Sequence, residues 1–129
     1  MIEVPVSWGE LIDKITILEI KAERIADATR SGNVRKELDL LRARLGAFSV
    51  QPEVVRLMRL LRDVNTALWE TEDAIRACEN AGDFGRRFVD LARSVYITND
   101  RRAALKRELN TLLGSDLVEE KSYLDYKVH

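Results

Sequence analysis

Between Ser7 and Thr29 apolar residues recur at three- and four-residue intervals, the period of a helix with a buried face. Successive helical residues turn by roughly 100°. On that wheel Trp8, Leu11, Ile12, Ile15, Leu18, Ala22, Ile25 and Ala26 share one broad face, and Glu19 falls inside it. Ile17 and Ile20 fall on the opposite side, with Asp13 and Arg24 around them. A helix that is apolar on two sides has to be covered on two sides. This stretch is therefore the expected centre of the fold; either the tail and second helix or another subunit supplies the second cover, and a homodimer is the expected one. Ser7 stands at the N-cap and Glu10 three residues on, the spacing of a capping box.

The remaining pattern predicts three more helices. Residues 1–6 read as an extended arm, since Val4 precedes Pro5 and is biased away from helix. Ser31-Gly32 is read as the stop of the first helix near residue 29, and Asn33 as the cap of a short second helix over 33–45, with Val34, Leu38, Leu41 and Leu45 as its buried stripe. A loop from Ala47 to Gln51 turns Phe48 and Val50 inward. Pro52 opens a third helix over 52–80, Gly82 stops it, and Asp83 caps a fourth over 84–113 that ends at Gly114. Each long helix spans about 40 Å, and their short connection makes them antiparallel neighbours. Thr98-Asn99-Asp100 marks a candidate local break. The tail, 115–129, carries Leu117, Val118, Tyr123, Leu124 and Tyr126, and is expected to lie back on the bundle with both tyrosines packed. The expected fold is all-α: an antiparallel bundle of four helices, one short, forming a single domain over 1–129.

Polar residues interrupt the apolar stripes at a few places. The third helix buries Val54, Leu57, Met58, Leu61, Val64, Leu68 and Ile75, with Asn65 and Glu72 mid-stripe and Trp69 and Arg76 at its edge. The fourth buries Phe84, Phe88, Leu91, Val95, Leu105, Leu109 and Leu112, with Thr98 and Arg102 on that face and Asn99, Lys106 and Asn110 along one edge. A buried charge without a partner costs several kcal/mol, so these groups are expected to meet one another or a ligand. The hairpin register brings Asn65, Trp69, Glu72, Asn99 and Arg102 to one level, with Glu19 added from the first helix and Glu72 within salt-bridge or single-water reach of Arg102. One reading of this layer is a structural salt-bridge network. The other is a pocket for a small anionic ligand, with Arg102, Arg76 and Lys106 as its contacts.

Composition narrows the classes. The chain has 129 residues, 46% hydrophobic and 33% charged, which fits one globular domain with solvated helix faces. A net charge of −1 argues against nucleic acid as a partner. No apolar run reaches the length of a membrane span, and no signal peptide is read at the start, so cytoplasmic residence is expected. One cysteine, Cys78, makes no internal disulfide. The single histidine is the terminal His129, so neither a Ser–His or Cys–His catalytic set nor a histidine metal site is expected. No metal and no cofactor are expected, and no catalytic residue can be assigned.

VPVSWGELIDKITILEIK at 4–21 resembles the opening of an uncharacterised family of short bacterial proteins, and the resemblance continues through NTALW at 65–69, TNDRRAALKRELN at 98–110 and EEKSY at 119–123. It implies a bacterial source and an association with surface-polysaccharide gene clusters, and it supplies no catalytic residues. ELIDKITILEIKAERI also resembles, in pattern, the first helix of helical chorismate mutases, although the early arginine of that helix is absent and Lys14 is the nearest cation. Two classes follow. One is a binding or assembly protein, with a homo-oligomer or another protein as partner and a role accessory to surface-polysaccharide synthesis. The other is a small-molecule enzyme with a mid-bundle polar site.

Overall fold

Ser7 caps the first helix from its expected place: its hydroxyl oxygen accepts the Glu10 N–H at 3.1 Å. The computed structural model describes residues 1–117 and 119–129; Val118, one of the apolar tail positions, lies outside the described residues. Helix α1 runs Trp8–Arg24, α2 Ala28–Leu45, α3 Pro52–Ala81 and α4 Arg86–Leu113, with a 3₁₀ turn at Gly46–Val50. The fold is all-α with four helices, and there is no strand among the described residues.

Helix boundaries at the α1–α2 junction and at the start of α4 differ from the sequence reading. Helix α1 ends five residues earlier than Thr29, and Ile25 leaves it in extended conformation. Asp27, not Asn33, caps α2, accepting the Arg30 N–H at 2.9 Å. Ser31 and Gly32 therefore sit inside α2. A glycine there costs about 1 kcal/mol against alanine, which a good cap and a buried stripe offset. With 18 residues, α2 is no shorter than the 17-residue α1. At the hairpin, Asp83 bonds the Gly85 N–H at 3.0 Å and α4 starts only at Arg86. The helix then runs through Thr98, Asn99 and Asp100 without a break.

Gly82 and Gly114 both take left-handed backbone, with φ of 66° and 65°, and both close Schellman ends. The Asp83 N–H reaches the Cys78 carbonyl at 2.9 Å, and the Ser115 N–H reaches that of Asn110 at 2.8 Å. These two turns set the α3–α4 hairpin and send the tail back along α4.

Helix α1 runs beside all three other helices, whereas α2 runs beside α1 alone among the helices. The main core joins Leu11, Ile12, Ile15 and Leu18 of α1 to Val34, Leu38 and Leu45 of α2, Val54, Leu57 and Leu61 of α3, and Leu109 of α4. Ile20, on the second apolar face of α1, is 2% exposed, and it borders a cleft with Leu68 of α3 and Val95 of α4. The chain's own α3 and α4 thus cover Ile20, while Ile17 is half-buried at the same cleft. No helix is long and apolar enough to cross a membrane among the described residues.

Candidate functional site

The polar centre of the fold is Asp13. It shares the second stripe of α1 with Gly9, Thr16 and Ile20, turned toward α3 and α4, and its exposure is 0%. Arg102 holds it with two prongs: Nε donates to Oδ1 at 2.9 Å and Nη2 donates to Oδ2. Asn65 Nδ2 donates to the same Oδ1 at 2.9 Å and to Thr16 Oγ1 at 2.8 Å. Thr16 in turn donates its hydroxyl proton to the Asp13 carbonyl at 2.8 Å. A buried carboxylate is tolerated only when its lone pairs are so filled. Among the described residues, every buried side-chain nitrogen and oxygen has a partner.

Helix α4 presents Arg102, Lys106 and Asn110 on successive turns, and α1 answers each of them. Lys106 Nζ donates to Glu10 at 2.7 Å and to Glu119 of the tail at 2.9 Å, and lies 3.9 Å from Asp13 Oδ2. Asn110 Oδ1 accepts the Gly9 N–H at 2.7 Å. The Trp8 N–H reaches Ser115 Oγ at 3.4 Å. Glu10, read as half of a capping box, thus turns its carboxylate to Lys106 instead.

The electrostatics follow from these contacts. The bond to Asp13 outweighs burial and raises the Arg102 guanidinium further above its ordinary value. Burial pulls the Lys106 ammonium down, but its bonds to Glu10 and Glu119 outweigh that and leave it raised. The Lys106 bond holds the Glu119 carboxyl below the usual carboxylate range.

Two openings meet at Arg102. A cleft of about 400 Å³ lies between α1, α3 and α4, and Asn65, Trp69, Glu72, Asn99 and Arg102 all border it. A groove of about 970 Å³ lies between α4 and the tail, and it shares Val95, Asn99 and Arg102 with the cleft. Five of the eight residues expected to share a layer therefore do border one space. The other three lie elsewhere. Lys106 sits one turn along α4 from Arg102, in the row of contacts with α1. Arg76 is exposed on α3, where its Nε donates to Glu72 at 2.9 Å. Glu19 faces α2 and pairs with Arg42 at 3.0 Å, because the broad face of α1 that contains it is the one α2 covers. Arg102 is ion-paired to Asp13, not to Glu72, its expected partner.

Sequence reasoning missed Asp13, Thr16, Glu10 and Glu119. For Asp13 a signal was present: it lies on the same wheel sector as Ile20 and Gly9, so a face apolar enough to need cover also contained a carboxylate.

The tail lies along α4, in part as expected. Besides Glu119 on Lys106, Tyr126 donates its hydroxyl proton to Asp100 and sets its ring edge-on to Tyr96, centroids 5.1 Å apart. Tyr123, expected to pack, is 77% exposed. The tail is expected to loosen in acid. The folded-state pKa of Glu119 lies below its ordinary 4.5, so its contribution is present above 4.5 and disappears as pH falls through the lower folded value. Lys106, raised in the fold, stays charged throughout that range. Proteolysis of the tail should rise below pH about 4, and Glu119→Gln should give the loosened tail at neutral pH. Cleavage that is independent of pH, and equal in the variant, would show that this pair does not hold the tail.

No curated protein and no solved structure matches the chain. A family model does match, over residues 2–126, which takes in all four helices and the tail as far as Tyr126; by that match the chain belongs to a family described as "Family of unknown function (DUF6165)".

Proposed function

We propose that this is a cytoplasmic binding protein for a small anionic ligand, whose charged group docks on Arg102 where the cleft and the groove meet. The observation that carries the reading is the state of that guanidinium. Its Nε and Nη2 are fixed by a buried carboxylate, its Nη1 has no protein partner among the described residues, and its side chain borders both openings. A guanidinium locked along one edge loses little freedom when the other takes an anion. Nearby carboxylates are already engaged, Glu72 by Arg76 and Asp100 by Tyr126.

The enzyme reading has one observation in its favour, the sharing of the cleft by Glu72 and Arg102. Yet Glu72 is exposed and ion-paired along its own helix, which does not prepare it for acid–base work. Self-assembly through α1 has lost its motive, as Ile20 is covered within the chain.

The association with surface polysaccharide implied by the sequence resemblance makes sugar phosphates the first ligands to test. Titration calorimetry with sugar phosphates, inorganic phosphate and dicarboxylates should find a binder. At a hundred times its dissociation constant that binder should stabilise the protein by about 2.7 kcal/mol. The paired variant Asp13→Asn/Arg102→Gln, which removes both charges together, should lose the binding. Binding that survives in this variant, or no binding of any anion, would refute the proposal.

A further inference from the structure

We infer that the groove between α4 and the tail receives the ring of a phosphorylated aromatic compound of mononucleotide size, whose phosphate sits on Arg102. The inference rests on the anion-binding reading of Arg102 and adds the ligand's chemical class. The groove, at about 970 Å³, is at the upper end of the range for small-molecule sites, far larger than a bare phosphate needs. Val95 and Tyr96 of α4 and Tyr123, Leu124 and Tyr126 of the tail line it, with the Tyr96 and Tyr126 rings edge to face, centroids 5.1 Å apart, and the Tyr123 ring exposed. These are flat and apolar surfaces on which a ring can stack.

The same lining carries Arg93, Arg102, Lys121 and Lys127, against Asp100 as its one carboxylate side chain among the described residues. Asp100 already accepts from Tyr126. Arg93 and Lys127 have no ion-pair partner among the described residues. Lys121 Nζ lies 5.9 Å above the Tyr123 ring, so charge and ring face already adjoin there. An inorganic anion would leave the tyrosines unused, and an uncharged ring would leave Arg93 and Lys127 unanswered, while Lys121 lies 3.9 Å from Glu119 and Arg102 is paired to Asp13 along one edge. A ligand with a ring at one end and a phosphate at the other answers both the tyrosines and the cations.

The test uses the full chain, titrated by calorimetry with the four ribonucleoside 5′-monophosphates, their nucleosides, inorganic phosphate and a short single-stranded oligonucleotide. At least one monophosphate should bind tenfold or more tightly than both its nucleoside and inorganic phosphate, a gap of about 1.4 kcal/mol or more. Lys127→Glu and Tyr123→Ala change exposed positions, and their melting temperatures serve as controls for folding. Tyr123→Ala should weaken the monophosphate about tenfold and leave inorganic phosphate nearly unchanged, whereas Lys127→Glu should weaken both. If monophosphates bind no better than phosphate, or Tyr123→Ala leaves the ratio unchanged, the ring site is overturned while the Arg102 reading stands. If neither phosphate nor monophosphate binds, the ring site falls, and the Arg102 reading falls with it when sugar phosphates and dicarboxylates do not bind either. An oligonucleotide that binds more tightly than any monophosphate, with a steep salt dependence, would assign the groove to a nucleic-acid strand and overturn the mononucleotide assignment.

Discussion

Asp13→Ala should cost about 3–5 kcal/mol, a large share of the stability of a domain this size. The carboxylate is wholly buried, and its loss strands Arg102, itself mostly covered, and removes one of the two acceptors of Asn65. Lys106 would also lose an attraction across 3.9 Å. Replacing the pair by apolar residues of similar volume, Asp13→Leu with Arg102→Met, should recover much of the loss, since a buried ion pair often contributes little over a well-packed apolar one. Glu72→Ala provides the contrast. That carboxylate is exposed in an i,i+4 pair, so its removal should cost at most about 0.5 kcal/mol. Chemical denaturation of the three variants measures all of this. A loss at Asp13 no larger than that at Glu72 would mean that water or a neighbour takes over the role of the carboxylate.

Gly9→Ala should destabilise by about 1–3 kcal/mol, against the sign that helix propensity alone predicts. A Cβ on Gly9 would lie 2.4 Å from the Lys106 carbonyl oxygen and 2.9 Å from Asn110 Oδ1. The first of these is backbone in the middle of α4 and cannot swing aside, so α1 would have to lift off. Lifting it also stretches the bond from the Gly9 N–H to Asn110 and the contact of Glu10 with Lys106. Gly32, exposed inside α2 with nothing within 4 Å of its added Cβ, is the control: Gly32→Ala should stabilise by up to about 1 kcal/mol. Thermal melting of the two variants should move in opposite directions, and a shift of the same sign in both would show that the close approach at Gly9 carries no strain.

Much of the architecture was legible because its signals are local. Pro52, Gly82 and Gly114 mark helix ends by backbone chemistry that neighbours seldom override. The register of the long hairpin follows from Gly82, and Asn65, Trp69, Glu72, Asn99 and Arg102 border one cleft. What a helical wheel does not contain is the identity of the neighbour on each face. Glu19 and Asp13 both interrupt apolar stripes of α1, but α2 covers one and α3 with α4 the other. Glu19 was therefore counted in the polar layer, from which its pairing with Arg42 removes it, and Asp13 was left out of the layer it centres. The break between α1 and α2 was misplaced because Ser31-Gly32 is the more familiar stop, while Asp27 is the better cap. The tail has no period, so only its aromatic content pointed to docking, and that content did not separate Tyr126 from Tyr123.

The contacts between α1 and α4 join residues 89 to 101 positions apart in the chain. The α1–α2 and α3–α4 pairs, by contrast, close over short turns. Long-range closure is entropically expensive until the intervening segments are already compact, so the row of contacts through Arg102, Lys106 and Asn110 should form after the rate-limiting step of folding. Changes there then act on one arm of the kinetics. Asp13→Ala should leave the refolding rate close to that of the parent and deliver nearly its whole effect as faster unfolding. The polar centre of this protein would thus govern how long the native state lasts, and hardly at all how quickly it is reached.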